Sequence, residues 1–162
     1  DINGALGNLL TAKCADLESA RQAADRTWEQ ALGKLMVDGG TKEQRRCFYT
    51  ALYHCMTAPY LWTDEDGRYR GFDNQIHVAD EGREVYTVLS LWDTYRNLHQ
   101  LLTLVYPERQ TDMLRSMVGM YEDWGWLPRW ELFGRETFTM EGDPAAIVIA
   151  DSWIKEIGRA HV

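Results

Sequence analysis

A chain of 162 residues suits one domain and can bury a sizeable core. Its 45% hydrophobic and 26% charged residues exclude a disordered polymer. A formal charge of -8 excludes a general nucleic-acid binder, which needs a basic face against phosphate, and no run of about 20 apolar residues exists to cross a membrane.

The first 13 residues are Gly-rich and weakly patterned, which predicts an entry loop or short turn. Their lack of Met and of a signal-like apolar core suggests a start cut from the interior of a longer chain. From Asp16, apolar positions Leu17, Ala20, Ala24, Trp28, Leu32, Leu35 and Met36 recur at helical spacing, predicting a long helix to about Val37. Gly39 and Gly40 end it. Thr41 with Gln44 three residues on makes a capping-box pattern for a second helix, which carries FYTALYHCM and stops before Pro59. Residues 60–87 read as a small hairpin or a long ordered loop, and a loop of that length is usually functional.

A third helix is predicted from about Val88 to Tyr106, with Val88, Leu91, Trp92, Tyr95, Leu98, Leu102 and Val105 on one stripe. Pro107 separates it from a fourth over Glu108 to Trp124. A loop-like stretch, LPRWELFGRETFTMEGDP, precedes a fifth helix in which Pro144 suits the first turn. The expected class is all-α: helical hairpins joined alternately by short turns and long aromatic-rich loops, as in a bundle, a solenoid or part of an α/α toroid. No fixed repeat supports the solenoid.

Cys14, Cys47 and Cys55 provide no disulfide framework. Cys47 and Cys55 are two helical turns apart, roughly 12 Å at about 1.5 Å per residue, too far for a bridge. The expectation is buried thiols. His54, His77 and His99 have no partner at metal-ligand spacing, so no metal ligand is assigned. The Asp64–Gly67 run departs from a calcium loop, whose Gly stands sixth and Glu twelfth, and reads as a solvated turn.

The seven tryptophans suit core packing or stacking on sugar rings. Glu131 and Glu136 stand among Trp130, Phe133 and Phe138, where a carboxylate is poorly solvated and holds its proton more readily. Paired carboxylates do the work in most glycosidases, about 6.5–9.5 Å apart for inversion and about 5–5.5 Å for retention. A separation of five residues permits either distance, and Arg129 and Arg135 could instead make ordinary ion pairs with both glutamates. Trp92, Asp93 and Arg96 in SLWDTYR could form an aromatic floor with two polar groups for sugar hydroxyls, or a helix-start acid with its i,i+3 partner.

Several stretches taken in order are more specific than any of these alone. FYTALYH, the PYLWTDEDGRYRGFD run, IHVAD, YTVLSLWDTYR, LLTLVYPER, GWLPRWEL, Glu136-Thr137 with Met140 and Gly142, and VIADSW together resemble glycoside hydrolase family 92, from roughly Trp28 to Lys155. The resemblance implies a calcium-dependent, inverting exo-α-mannosidase with an N-terminal β-sandwich and a C-terminal (α/α)6 toroid, of which residues 1–155 would be the early helices. It makes Glu136 the first choice for the general acid and Glu131 the second. Trp92, Asp93, Arg96 and Trp130 would line the mannose pocket. A neutral acid at working pH, kept so by aromatic neighbours, fits the chemistry, and calcium near the sugar's O2 and O3 would favour ring distortion.

The departures matter as much. The Gly-Asn-Asp-Asp-type segment that carries the family's catalytic base has no counterpart here, and most calcium ligands are expected downstream. The sandwich and later helices of the same parent would be partners of this chain, and a mannose-containing glycan its substrate. The expectation is a piece of a secreted or periplasmic mannosidase, inactive alone. Residues 156–162, EIGRAHV, look like the translation of a common sequencing adapter, which gives the expectation that they are non-biological. Alternatives are an α/α-toroid carbohydrate enzyme of other specificity and a non-catalytic helical interaction domain.

Overall fold

Residues 2–12 and 14–157 are described by the computed structural model, in two separate units, residues 1–57 and 58–162. About half of the described residues are helical, in seven helices, and six strands of two or three residues stand among them.

The first unit contains α1 (Ile2–Thr11), α2 (Leu17–Leu32) and α3 (Lys42–His54). α1 corrects the expected entry loop. Ile2, Leu6, Leu9 and Leu10 recur at helical spacing, and Gly4 and Gly7, at about 1 kcal/mol each, do not break the run. α2 opens on a reciprocal cap: Asp16 accepts from the Ser19 N–H at 2.7 Å, and the Ser19 hydroxyl oxygen accepts from the Asp16 N–H at 3.1 Å. It ends at Leu32 rather than near Val37. Beyond Gly33 the Lys34 and Leu35 N–H groups bond three residues back, so the regular ladder stops despite the apolar spacing. The box predicted for α3 is present, with Gln44 N–H donating to Thr41 Oγ1 at 3.2 Å and Thr41 N–H to Gln44 Oε1 at 2.8 Å. α2 and α3 meet through Trp28 and Tyr53, whose ring centroids are 4.5 Å apart. The cysteines correct the buried-thiol expectation. Cys14 and Cys47 are exposed and Cys55 is half-buried, and all three are free thiols.

The second unit begins with β1 (Tyr60–Leu61), β2 (Arg68–Arg70), β3 (Ile76–Val78) and β4 (Tyr86–Thr87). β2 and β3 form an antiparallel hairpin in the register Arg68↔Val78, Tyr69↔His77 and Arg70↔Ile76. β1 and β4 close the base of this excursion, pairing Tyr60 with Thr87 and Leu61 with Tyr86. At Asp64–Gly67 the Gly67 N–H donates to the Asp64 carbonyl at 2.9 Å, with Gly67 at φ +78, so this is a turn.

The continuous helix expected over 88–106 does not form. In its place are β5 (Leu89–Ser90), α4 (Leu91–Thr94) and α5 (Leu98–Val105). Val88 takes a φ of +61, and Leu89 and Ser90 pair with β6 (Trp130–Glu131) in the register Leu89↔Glu131 and Ser90↔Trp130. A tertiary ladder thus overrides a helical stripe. Further on, Asn97 leaves helical backbone, and the Gln100 amide donates to the Tyr95 carbonyl at 3.0 Å, closing the end of α4. α6 (Pro107–Trp124) and α7 (Pro144–Ile154) occupy their expected places. Both carry Pro in the first turn, and Gly125, at φ +85, caps α6 by donating to the Tyr121 carbonyl at 2.6 Å.

α5, α6 and α7 enclose a core of Leu102, Tyr106, Met113, Met117, Ala145 and Val148, continued under the strands by Val85, Tyr86, Leu89 and Leu91. A buried polar chain runs through it. Thr94 Oγ1 meets His99 Nε2 at 2.9 Å, His99 Nδ1 meets Gln110 Oε1 at 3.0 Å, and the Gln110 amide donates to Ser152 Oγ at 3.2 Å. Burial pushes the His99 imidazole below its ordinary pKa. Of the expected tail, Glu156 and Ile157 lie in a turn bonded back to the Trp153 and Ser152 carbonyls. Residues 158–162 lie outside the described residues.

Candidate active site

The stretch that reads as a loop is a tight hairpin. Leu132 and Arg135 exchange backbone hydrogen bonds of 2.8 and 3.2 Å across Phe133 and Gly134, at φ +54 and +79. Two central residues with positive φ make the turn that best matches strand twist, and Gly134 takes that conformation without steric cost. Glu131 and Glu136 are the residues paired across its base. The two carboxylates named from sequence therefore stand opposite each other, yet their surroundings differ.

Glu131 has no exposed surface. Its Oε1 accepts from Thr87 Oγ1 and from the Gly134 N–H, both at 2.6 Å, and its Oε2 accepts from the Leu89 N–H at 3.2 Å. Burial pushes its carboxyl above the ordinary range, and the Thr87 hydroxyl and the Gly134 and Leu89 amides pull the other way. The side chain pins the turn to β5.

Glu136 is half-buried, and four backbone N–H groups converge on it. Arg129 donates to Oε2 at 2.7 Å, Trp130 to Oε2 at 3.2 Å, Thr137 to Oε1 at 3.0 Å and Phe138 to Oε1 at 3.2 Å. Aromatic walls are thus only part of its environment. They appear on the solvent side, where Glu136 lines a pocket of about 390 Å³ with Trp124, Trp126, Arg129, Phe138 and Asp143. Trp126 and Phe138 are 66% and 70% exposed, and Phe138 meets Trp124 edge to face with centroids 5.2 Å apart, so the wall presents aromatic surface to a ligand.

The other named residues are only partly brought together. Trp92 and Trp130 meet edge to face, centroids 6.1 Å apart, and the Trp92 N–H donates to the Arg129 carbonyl at 3.2 Å, so α4 is tied to the Glu136 loop. The indole Nε1 of Trp92 is buried without a partner. Asp93 is exposed and accepts from Ser90 Oγ at 2.6 Å. Arg96 is exposed and lies over the Tyr95 ring at 5.0 Å. Neither Asp93 nor Arg96 lines the Glu136 pocket.

Phe138 was named from sequence beside the glutamates, but Trp124 and Trp126 were not singled out as pocket walls, nor Thr87 as the partner of Glu131. The paired tryptophans around Gly125 were the available signal. Thr87, 44 residues from Glu131, left none.

His77, to which the sequence assigned no metal-binding role, has two carboxylates beside it. Asp73, His77 and Asp123 bring ligand atoms within 4.8 Å of one another. This set does not fit calcium, which takes oxygen ligands, because one donor is an imidazole nitrogen.

Comparison with known proteins gives the family. The model of the glycosyl hydrolase family 92 catalytic domain matches residues 4–162. A family 92 α-mannosidase from Bacteroides thetaiotaomicron, solved with mannoimidazole, superimposes with a TM-score of 0.90 at 37% identity over 96% of this chain and 20% of that one. A family 92 inverting mannosidase of the same species gives 0.89 at 29% identity, over 97% of this chain and 21% of that one. An uncharacterized secreted glycosidase of Arthroderma benhamiae is 24% identical over 144 residues, 88% of this chain and 14% of that protein. The chain thus spans about a fifth of the solved relatives' length and less of the curated one. With the Glu136 hairpin and the helical unit around it, the match over residues 4–162 means that this chain belongs to glycosyl hydrolase family 92.

Proposed function

We propose that this chain is part of the catalytic domain of a secreted or periplasmic exo-acting α-mannosidase that removes terminal α-linked mannose with inversion, and that its helices belong to an α/α toroid. The carrying observation is Glu136, set by backbone N–H groups at the edge of an aromatic pocket. The mannosidase names of the two solved relatives and the secreted description of the curated one support the substrate class and the location.

Glu136 is the general acid. In its protonated form it gives its hydrogen to the glycosidic oxygen as the bond breaks, while a base on the opposite face of the sugar activates water. The Arg129, Trp130, Thr137 and Phe138 amides hold the carboxyl in one orientation, which leaves less to organise as the bond breaks. The Trp92–Trp130 pair packs behind the Glu136 loop, and Asp93 and Arg96, which stand outside the pocket lined by this chain, are assigned to sugar hydroxyls on the family resemblance alone. Glu131 takes no proton-transfer role, because a carboxyl with no exposed surface reaches neither sugar nor water. The base and the calcium ligands are assigned to other parts of the parent protein, so the isolated chain hydrolyses no mannoside.

In the full-length parent, Glu136→Gln lowers turnover on mannosides with poor leaving groups by roughly 10²–10⁴-fold and far less on activated aryl mannosides. Equal loss on both overturns the acid assignment. Hydrolysis with and without a calcium chelator tests the ion.

A further inference from the structure

The clearest chemistry outside the Glu136 pocket lies where the β2–β3 hairpin meets the end of α6. Asp73 comes from the hairpin turn, His77 from β3 and Asp123 from the last turn of α6. His77 Nε2 is 3.0 Å from each oxygen of Asp73 and 3.9 Å from Oδ1 of Asp123. The last distance is too long for a hydrogen bond. Donors held about 2.0–2.1 Å from a tetrahedral ion stand about 3.3 Å from one another, and these separations bracket that value.

Three further features fit a bound cation. The imidazole is held in plane by Tyr69, its cross-strand partner, with stacked rings 5.6 Å apart. Among the described residues no lysine or arginine pairs with Asp73 or Asp123, so two carboxylates share one imidazole. Gly71 is buried beneath the group, and a Cβ there would lie 2.5 Å from Asp123 Oδ2, 2.7 Å from His77 Cδ2 and 2.8 Å from Asp73 Oδ1. A residue without a side chain is what lets the three groups converge.

We propose that Asp73, His77 and Asp123 form a binding site for one divalent transition-metal ion of the zinc or manganese class, fastening the hairpin to α6. One nitrogen and two carboxylate oxygens suit such ions, with water completing the shell, and the imidazole disfavours calcium. The site is separate from the Glu136 pocket and rests on no part of the mannosidase reading.

The test uses the whole chain, freed of metal by chelator and dialysis, with ¹⁵N-labelled histidine. Zinc chloride is titrated while long-range ¹H–¹⁵N spectra follow the ring nitrogens and calorimetry gives the affinity. The free cysteines can also take zinc, so the site is read at His77. The expected result is a shift of the His77 Nε2 signal that saturates at one zinc per site, with Asp123→Asn weakening this binding at least tenfold. Asp123→Asn keeps an oxygen for the Phe72 N–H that now donates to Asp123 Oδ2 at 3.2 Å, so it folds as the parent does. Calcium chloride at the same concentrations leaves the signal in place. An unmoved Nε2 signal at saturating zinc, unchanged affinity in Asp123→Asn, or an equal response to calcium overturns the proposal and leaves a His77–Asp73 hydrogen bond that closes the hairpin.

Discussion

The two units differ in how their order is written. In residues 1–57 the starts of α2 and α3 are set by neighbours three residues apart, Asp16 with Ser19 and Thr41 with Gln44, and among the described residues only Gly4 and Leu52 are buried. In residues 58–157 the deciding contacts join distant positions: Leu89 with Glu131, Thr87 with Glu131, His99 with Gln110 and Ser152. Local contacts make helices. Distant ones make the site, because only they bring groups from several segments to one place.

Breaking the long-range contacts of Glu131 has the largest expected effect. Glu131→Ala leaves the Thr87 hydroxyl and the Gly134 and Leu89 amides without their acceptor and opens a void in the core. The loss is about 3–5 kcal/mol, measured by urea unfolding followed by tryptophan fluorescence. A loss below about 1 kcal/mol would mean that the turn holds without its pin.

A pH series sharpens the comparison next. His99 is held neutral by burial, so on acidification through its ordinary value of 6.5 the unfolded chain takes up a proton that the folded chain refuses. The stability from neutral His99 is therefore present above that value and lost as pH falls. Glu131, raised from 4.5, has the opposite sign: its contribution is full below 4.5 and lost as pH rises through the folded value. Unfolding curves of wild type and His99→Gln from pH 7.5 to 5 should converge on acidification. A gap independent of pH would show that His99 titrates alike in both states.

The smallest effect falls in the first unit. Thr41→Ala removes the hydroxyl oxygen that accepts the Gln44 N–H and costs about 1 kcal/mol. Hydrogen exchange should place the loss in α3, leaving amides of 130–138 unchanged. Faster exchange there would show that the helix-start signal is not local.

Much of the fold was legible from short-range rules. The Thr41 cap and Pro144 in a first turn each act within one helical turn, so a linear reading finds them, as it finds the break at Pro107. The apolar stripe of 88–106 misled because spacing cannot weigh a helix against a strand partner 40 residues away. The Gly-rich opening misled because Gly weakens a helix without forbidding it.

For the site, the sequence by itself supplied the candidates: the stretches that resemble family 92, two glutamates in one of them, and Trp92 and Trp130. The tertiary structure alone decided how they differ. The pairing of β5 with β6 sealed Glu131 against Thr87 and Leu89, while the turn at Phe133–Gly134 set Glu136 among amides beside an aromatic pocket. Two identical side chains five residues apart received different surroundings because burial and donor placement belong to the folded chain, where residues 40 positions apart become neighbours.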